Sequence, residues 1–234
     1  MNLAIIPARG GSKRIPGKNT KEFAGKPLIV YSIEAAKNSG LFDKIIVSTD
    51  SMEVADIARN HGTDVPFMRP AGLSNDLVGT RPVTNHAISY CIEHFFKPEY
   101  CCCIYATAPF LQIEYLKQGL SLLKAQANKS FAFSVTSFPF PIQRAISINE
   151  SGISPMFADQ IGKRSQDLEE AFHDAGQFYW GKTDDYLSNK GIFSQHSLPV
   201  ALPRHLVQDI DTPEDWQRAE LMYQAYVRGI QNGQ

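Results

Sequence analysis

The chain alternates short, continuously apolar segments with segments of helical periodicity, and this alternation constrains its fold more than any other feature. Four strands are expected at short, largely apolar segments, at residues 3–8, 44–48, 100–105 and 131–136. Helices are expected between and after them, at residues 28–38, 51–60, 83–96 and 113–126. Continuously apolar strands separated by helices indicate βαβ units, in which helices cover a parallel sheet on both faces. The sequence therefore predicts a three-layer α/β domain with a mostly parallel sheet.

The regular alternation ends after Ser137. Residues 138–180 are rich in proline and carry aromatic side chains of no regular period, namely Phe138, Phe140, Phe157, Phe172, Phe178, Tyr179 and Trp180. Aromatic residues are enriched where protein surfaces meet. We interpret residues 138–180 as an inserted arm of a single domain that spans residues 1–234, followed by a late strand and a helix at 213–227. Composition alone favours a simpler alternative, in which these rings cover the open edge of the sheet within one chain.

Charge and hydropathy exclude several classes of protein. Lys and Arg total 23 and Asp and Glu total 24, so the formal net charge is -1 and no global field attracts nucleic acid or an anionic membrane. The start of the chain lacks the features of a signal peptide, and no segment approaches the roughly 18 apolar residues of a spanning helix. We expect a cytoplasmic protein that binds neither nucleic acid nor membranes.

The cysteines do not indicate a metal or redox site. Cys101, Cys102 and Cys103 are consecutive in a predicted strand, where neighbouring side chains point to opposite faces. No CxxC or Cys/His ligand spacing accompanies them or Cys91. We expect all four to be buried structural residues.

The segment ARGGSKRIPGKN, residues 8–19, follows the first predicted strand and combines adjacent glycines with a cluster of cations. This position is the carboxyl end of the sheet, where open α/β folds bind ligands. Backbone N–H groups around Gly10, Gly11 and Ser12 are suited to an anion-binding nest, because glycine permits positive φ. The cations that would neutralise a phosphate are Arg9, Lys13 and Lys18. The segment predicts a site for a polyanion such as a triphosphate.

Other interpretations of this loop are weaker. A Walker A loop requires glycine where Ser12 stands and a hydroxyl residue where Asn19 stands. A dinucleotide fingerprint opens a helix at a point where this chain has Pro16, which argues against an NAD(P)-dependent oxidoreductase. A solvated basic loop without a ligand and a nucleotide-binding regulatory module without catalysis stay open as alternatives.

Two late carboxylates form a candidate metal site. In the segment VQDID, a strand period of two places Asp209 and Asp211 on one face, and paired carboxylates suit Mg²⁺ that shares its coordination shell with substrate phosphates. The following residues predict a helix start, with Thr212 as N-cap and Pro213 as the first helical residue. Acidic residues in a first helical turn have a sufficient structural explanation, so Glu214 and Asp215 are not assigned to the site.

Five segments resemble one family in order. IPARGGSKRIPGKN is similar to the signature of the CMP-sugar synthetases, the cytidylyltransferases that activate nonulosonic acids such as N-acetylneuraminate. Further similar segments are VSTD at 47–50, RPAGLSNDLVGT at 69–80, YATAPF at 105–110 and QDIDTPEDW at 208–216. The resemblance implies a Rossmann-like fold of the nucleotide-diphospho-sugar transferase type. It also implies CTP and a nonulosonic acid as substrates, Mg²⁺ as cofactor, and a homodimer formed through the arm.

The resemblance also implies roles for individual residues. Lys18 and Arg9 are the candidate catalytic residues. The implied nucleotide-binding residues are Ala8, Arg9, Gly10, Gly11, Ser12, Lys13, Lys18, Asn19, Arg69 and Thr80. As isolated residues, Arg69 would more simply be a surface ion-pair partner and Thr80 a helix cap; their motif context favours contact with CTP.

The sugar end departs from the sialate pattern. Tyr105 and Ala106 stand where the family usually has Gln-Pro, and FHDAGQFYWG resembles the pseudaminic acid branch. The implied sugar-binding residues are Tyr105, Arg164, Gln166 and Gln177, the last three acting either within one chain or across a dimer interface. Pseudaminic acid is the predicted sugar, and N-acetylneuraminate and legionaminate are the alternatives.

Overall fold

The computed structural model describes residues 1–231, with a central six-stranded sheet in the order β10-β6-β9-β5-β1-β4. Its strands are β1 (Asn2–Pro7), β4 (Lys44–Ser48), β5 (Tyr100–Ile104), β6 (Phe131–Ser137), β9 (Phe172–Lys182) and β10 (Ser197–Ala201). β1 runs parallel to β4 and β5, and β10 runs parallel to β6. Two small hairpins lie outside this sheet and consist of β2 (Glu22–Phe23) with β3 (Lys26–Pro27), and β7 (Ile146–Asn149) with β8 (Gly152–Pro155).

Six helices surround the sheet, namely α1 (Leu28–Ser39), α2 (Met52–Asn60), α3 (Thr80–His94), α4 (Ile113–Ala125), α5 (Thr183–Leu187) and α6 (Pro213–Gln231). The buried faces of α1, α2 and α4 form one core with the sheet, and α3 and α5 form a second core on the opposite face. The predicted three-layer α/β fold with a mostly parallel sheet is therefore confirmed. No helix within residues 1–231 is long and apolar enough to cross a membrane.

The predicted arm ends earlier than the sequence suggested. β9 lies inside the central sheet, antiparallel to both β5 and β6, so residues 172–180 belong to the sheet rather than to an arm. Phe178 and Trp180 are completely buried. The reason is that β9 pairs along both edges over long sequence distances, which local composition does not reveal. The exposed β7–β8 hairpin lies in the part of the predicted arm that precedes β9.

Two further predictions were tested by the fold. The four cysteines are free and buried, as expected. Residues 207–211, however, are not a strand, because a 3-10 turn at Arg204–Leu206 carries the chain away from β10 at the edge of the sheet. The strand-period argument for Asp209 and Asp211 was therefore wrong, and their relation depends on the actual loop.

Candidate active site

The loop at residues 8–21 leaves the carboxyl end of β1 and is fixed at several points. Ala8 N donates to Ser48 O at 2.9 Å, and the side-chain amide of Asn19 donates to Arg9 O at 2.9 Å. Ile15 is 3% exposed and packs in the core cluster that contains Trp216 of α6. These contacts hold the cations of the loop above the edge of the sheet.

The glycines of the loop serve a different purpose from the predicted nest. Neither Gly10 nor Gly11 has positive φ, whereas Gly17 has a φ of 62°. Gly10 is required for space, because a Cβ there would lie 2.8 Å from the Cβ of Ser51. Its N–H donates to Asp50 Oδ1 at 2.9 Å. The expected positive φ at the adjacent glycines was wrong, since the loop makes its left-handed turn at Gly17.

Two loop cations share one carboxylate. Arg9 forms an ion pair with Asp76, and Lys13 Nζ lies 2.5 Å from the same carboxylate. These contacts lower the pKa of Asp76, mainly through hydrogen bonds from Lys13 and Arg9. Arg9 and Lys13 are thus brought together by the carboxylate of Asp76, which pairs with both of them.

Two other loop cations share a second carboxylate. Lys18 Nζ lies 3.1 Å from Asp211 Oδ1 and donates to Ile210 O at 2.6 Å, while Arg14 donates to Asp211 Oδ2 at 2.7 Å. Partial burial raises the pKa of Asp211, but Lys18 and Arg14 outweigh it and the net shift is downward. The predicted catalytic lysine and one predicted metal ligand are therefore in direct contact.

A cavity of about 250 Å³, here called the Arg69 cavity, opens beside the loop. Its wall includes the predicted nucleotide-binding residues Arg9, Asn19, Arg69 and Thr80, together with Tyr105. Thr80 Oγ1 lies 3.2 Å from Tyr105 Oη. Four predicted nucleotide-binding residues thus meet at one cavity.

Arg69 is 7% exposed at the floor of this region. Its guanidinium hydrogen-bonds to Ser48, including Nε to Oγ at 3.2 Å. Burial lowers its pKa, while Asp50 opposes and Arg9 adds to that shift. Among the described residues no carboxylate forms an ion pair with it. A buried cation without a counterion is suited to an anionic or polar ligand.

A larger cavity of about 590 Å³, here called the Asp209 cavity, adjoins the first through Tyr105. Its wall also includes His173 and Asp174 of β9, and Arg204 and Asp209 of the segment after β10. Burial raises the pKa of Asp209, and repulsion from Asp211 adds to the shift. The two carboxylates are therefore close enough to interact, although they are not on a strand.

Asp209 and Asp211 supply only two carboxylates to a divalent cation, which restricts the kind of metal site that they can form. Among the residues that the structure describes, no group of three His, Cys, Asp or Glu side chains is arranged to hold a metal. Mg²⁺ is commonly bound by one or two carboxylates and completes its shell with water and substrate phosphates. The repulsion between Asp209 and Asp211, which Lys18 offsets only in part, is consistent with such a site.

The other predicted sugar-binding residues are apart from both cavities. Gln177 is 3% exposed, and its amide donates to Leu206 O at 2.5 Å while its Oε1 has no partner among the described residues. Arg164 and Gln166 are exposed, and Arg164 pairs with Asp167 at 2.8 Å. The structure brings only Tyr105 of this group to a cavity wall, so the roles of the other three stay predictions.

Sequence reasoning missed three residues at the site. Asp76 lies inside the quoted segment RPAGLSNDLVGT, and Asp50 closes VSTD, but neither was assigned a contact with the loop. Arg14 was counted among the clustered cations and given no role. Motif membership was the available signal for both carboxylates, whereas their partners depend on how the loops fold together.

Comparisons with known proteins identify the family of the chain. The family model for cytidylyltransferases matches residues 3–227. A pseudaminic acid cytidylyltransferase of Campylobacter jejuni is 46% identical over 223 residues, which cover 95% of this chain and 96% of that protein. A CMP-N,N'-diacetyllegionaminic acid synthase of Legionella pneumophila is 32% identical, covering 93% and 94%. An N-acylneuraminate cytidylyltransferase of Escherichia coli is 29% identical, covering 93% of this chain and 51% of that protein.

Solved structures support the fold. A CMP:2-keto-3-deoxy-manno-octonic acid synthetase complexed with CTP aligns with a TM-score of 0.69 at 16% identity, covering 96% of this chain and 99% of that one. A 4-diphosphocytidyl-2C-methyl-D-erythritol synthase of Anaerococcus prevotii aligns with a TM-score of 0.63 at 13% identity, covering 95% and 98%. With the family match over residues 3–227, these findings show that the chain belongs to the cytidylyltransferase family.

Proposed function

We propose that this chain transfers CMP from CTP to a nonulosonic acid, pseudaminic acid, and releases pyrophosphate. The observation that carries the proposal is the contact of Lys18, in the polycationic loop, with Asp211 at 3.1 Å. Similarity to the Campylobacter jejuni enzyme, at 46% identity, supports the choice of sugar. The relatives named for legionaminate and N-acylneuraminate, at 32% and 29%, supply the alternative sugars.

The proposed reaction is an in-line displacement at the α-phosphorus of CTP. The anomeric hydroxyl oxygen forms the new P–O bond, the bond to the bridging oxygen breaks, and pyrophosphate leaves. The hydroxyl proton passes to a carboxylate or to water. Positioning and electrostatic stabilisation supply most of the acceleration in such transfers. Lys18 stabilises the charge that develops on the transferring phosphoryl group, and Arg9 and Lys13 hold the phosphates.

Asp209 and Asp211 are the proposed ligands of Mg²⁺. When bound, this ion would supply charge neutralisation for the phosphates and orient them toward the sugar. Lys18 and Arg14 form ion pairs with Asp211 in the structure. Both cations must therefore leave Asp211 and turn toward phosphate oxygens when CTP, the sugar and Mg²⁺ bind. The loop residues thereby exchange one anion for another.

The two cavities correspond to the two proposed substrates. The Arg69 cavity takes the nucleoside end of CTP, with Asn19, Arg69 and Thr80 on its wall. The Asp209 cavity takes the sugar, and Tyr105 lies between them. Ala8, Gly10, Gly11 and Ser12 are proposed to contact the nucleotide through the loop backbone. The predicted cytoplasmic location stays a prediction.

A homodimer is proposed to complete the sugar end. The β7–β8 hairpin exposes apolar side chains that one chain leaves uncovered, including Ile148 at 79% and Ile153 at 67%. Exposed apolar patches of this kind mark interaction surfaces. In the dimer, Arg164, Gln166 and Gln177 would contribute to the sugar site, the first two from the partner's arm.

The dimer has a direct test. Ile148→Ser combined with Ile153→Ser should convert the protein to a monomer by light scattering, whereas Leu221→Ser, at an exposed leucine of α6, should not. A wild-type monomer with full activity at micromolar concentration would contradict the dimer.

The function is tested with a panel of nonulosonic acids, CTP and Mg²⁺, assayed for pyrophosphate. We expect release with CTP and pseudaminic acid, and weak release with ATP or GTP. Lys18→Ala serves as the inactive control. Equal turnover with ATP would contradict nucleotide selectivity, and CTP binding without pyrophosphate release from any sugar would favour a regulatory module.

A further inference from the structure

The carboxylate of the proposed sugar substrate adds a negative charge close to Asp209 and Asp211. A nonulosonic acid carries its carboxylate on the anomeric carbon, directly beside the hydroxyl that attacks phosphorus. Under the proposed function this carboxylate must lie near the CTP phosphates and near Asp209 and Asp211. Like charges a few ångströms apart repel strongly where water is partly excluded. The substrate therefore requires a cation of the protein close to the reacting carbon.

The Asp209 cavity contains two such cations. Arg204 and Arg218 line its wall together with Asp209, whereas the loop cations Arg9 and Lys18 do not. His173, the other basic side chain on this wall, has Nδ1 2.8 Å from Asp174 O. The permanent positive charges facing the sugar cavity are therefore the two guanidiniums.

Both guanidiniums have hydrogen-bonding capacity to spare. Arg204 makes one weak bond, to Phe138 O at 3.3 Å, and Arg218 makes none among the described residues. Neither forms an ion pair with a described carboxylate. Arg164, by contrast, pairs with Asp167 at 2.8 Å. A guanidinium offers a planar pair of donors that matches a carboxylate.

The two arginines are held on either side of the metal-binding segment. Arg204 begins the 3-10 turn after β10, and this turn is tied to the sheet by Gln177, which donates to Leu206 O at 2.5 Å. Arg218 lies in the second turn of α6, whose start is fixed by a capping box between Thr212 and Asp215. Rigid supports on both sides of residues 207–211 make the pair suitable for orienting a ligand.

We infer that Arg204 and Arg218 bind the carboxylate of the sugar substrate within the same chain that supplies Asp209. This inference rests on the proposed function. It assigns recognition of the acid group to the wall of the cavity rather than to Arg164 of the arm.

The test compares an acid with its neutral analogue. Inhibition constants of pseudaminic acid methyl glycoside and of its carboxamide are measured on the wild type, Arg204→Gln and Arg218→Gln, with Arg59→Gln as an exposed control on α2. The wild type should bind the acid better. Each cavity variant should raise the KM for the sugar about tenfold to a hundredfold, as for a lost hydrogen bond to a charged group. Each variant should also bring the ratio of the inhibition constants of the acid and the carboxamide toward one. The KM for CTP should stay within about twofold of the wild-type value.

The outcomes separate the inference from the function. Wild-type turnover of a nonulosonic acid, with an unchanged acid-to-amide ratio in both variants, would overturn the inference and leave the function intact. A parallel rise in the KM for CTP would also overturn it, because the arginines would then support the fold. Absence of wild-type turnover with every nonulosonic acid would overturn the function and the inference with it.

Discussion

Replacing Arg69 tests whether its buried charge serves nucleotide binding rather than the stability of the fold. The side chain is 7% exposed and carries a charge that no described carboxylate pairs. The proposed role of this charge is to receive the nucleotide, and in the absence of nucleotide it is a buried cation satisfied only by Ser48. Arg69→Met keeps a long side chain and removes the charge.

The expected change in stability follows from two opposing contributions. Replacing buried charges with apolar side chains of similar volume is often neutral or stabilising by about 1–4 kcal/mol. The lost bonds to Ser48 cost about 1.5–3 kcal/mol, as for hydrogen bonds from a charged donor. Ser48 O keeps the bond from Ala8 N at 2.9 Å, so no buried carbonyl is left without a partner. The two contributions nearly cancel, so the free energy of unfolding should change by no more than about 2 kcal/mol in either direction, which moves the Tm by no more than about 8 °C.

The assay is thermal unfolding with and without CTP. A ligand at a hundred times its dissociation constant stabilises the native state by about 2.7 kcal/mol, so the wild type should show a clear upward shift. Arg69→Met should show little or none at the same CTP concentration.

Arg81→Met is the matched control, because Arg81 is a neighbouring structural guanidinium. It donates to Asp185 O, Tyr186 O and Lys190 O at 2.9–3.1 Å. Its loss should lower the free energy of unfolding by about 3 kcal/mol or more, since bonds from a charged donor disappear and carbonyls lose a partner. A Tm for Arg69→Met that falls as far as that of Arg81→Met, or a preserved CTP shift, would refute the reasoning.

Three other predictions concern catalysis and the core. Lys18→Ala should lower kcat by about a hundredfold or more while raising the KM for CTP much less, and a pure KM effect in steady-state kinetics would reassign Lys18 to ground-state binding. Asp209→Ala should lose most activity and its response to Mg²⁺ while melting as a folded protein; unchanged turnover, or wild-type activity that survives a chelator, would refute the metal role. Burial raises the pKa of Cys101 and Cys103 to about 12, so iodoacetamide should label them only after denaturation, and rapid labelling of the native protein by mass spectrometry would contradict this.

The layers of the fold were accessible from the sequence, but the position of one strand was not. β1, β4, β5 and β6 are mostly apolar because helices cover both faces of the sheet. β9 mixes polar residues, aromatic residues and glycines, and its N-terminal half departs from that pattern. Its place between β5 and β6 is decided by pairing over long sequence distances, which no local periodicity records.

The site was predictable where it depends on motif order and not where it depends on loop packing. Arg9, Asn19, Arg69 and Thr80 meet at one cavity, as their order in the motifs suggested. The contact of Asp76 with Arg9 requires two loops 67 residues apart to close on each other. No pattern within either loop contains that information, because each loop has an ordinary local structure by itself.

Two carboxylates of the chain neutralise the cations of the basic loop. Asp76 holds Arg9 and Lys13, and Asp211 holds Lys18 and Arg14, so each pair of cations already has an anion. Exposed ion pairs of this kind contribute little stability and are readily exchanged.

This arrangement decides how the two aspartate variants are interpreted. Asp211 contacts Lys18, the proposed catalytic lysine, directly, so loss of activity in Asp211→Ala reports the position of Lys18 as well as any bound metal. Asp209 makes no ion pair with a described residue, and its pKa is raised because partial burial and repulsion from Asp211 outweigh the opposing charge of Lys18. Loss of Mg²⁺ dependence in Asp209→Ala with an unchanged Tm therefore identifies a metal ligand, because no loop cation loses its partner in that variant.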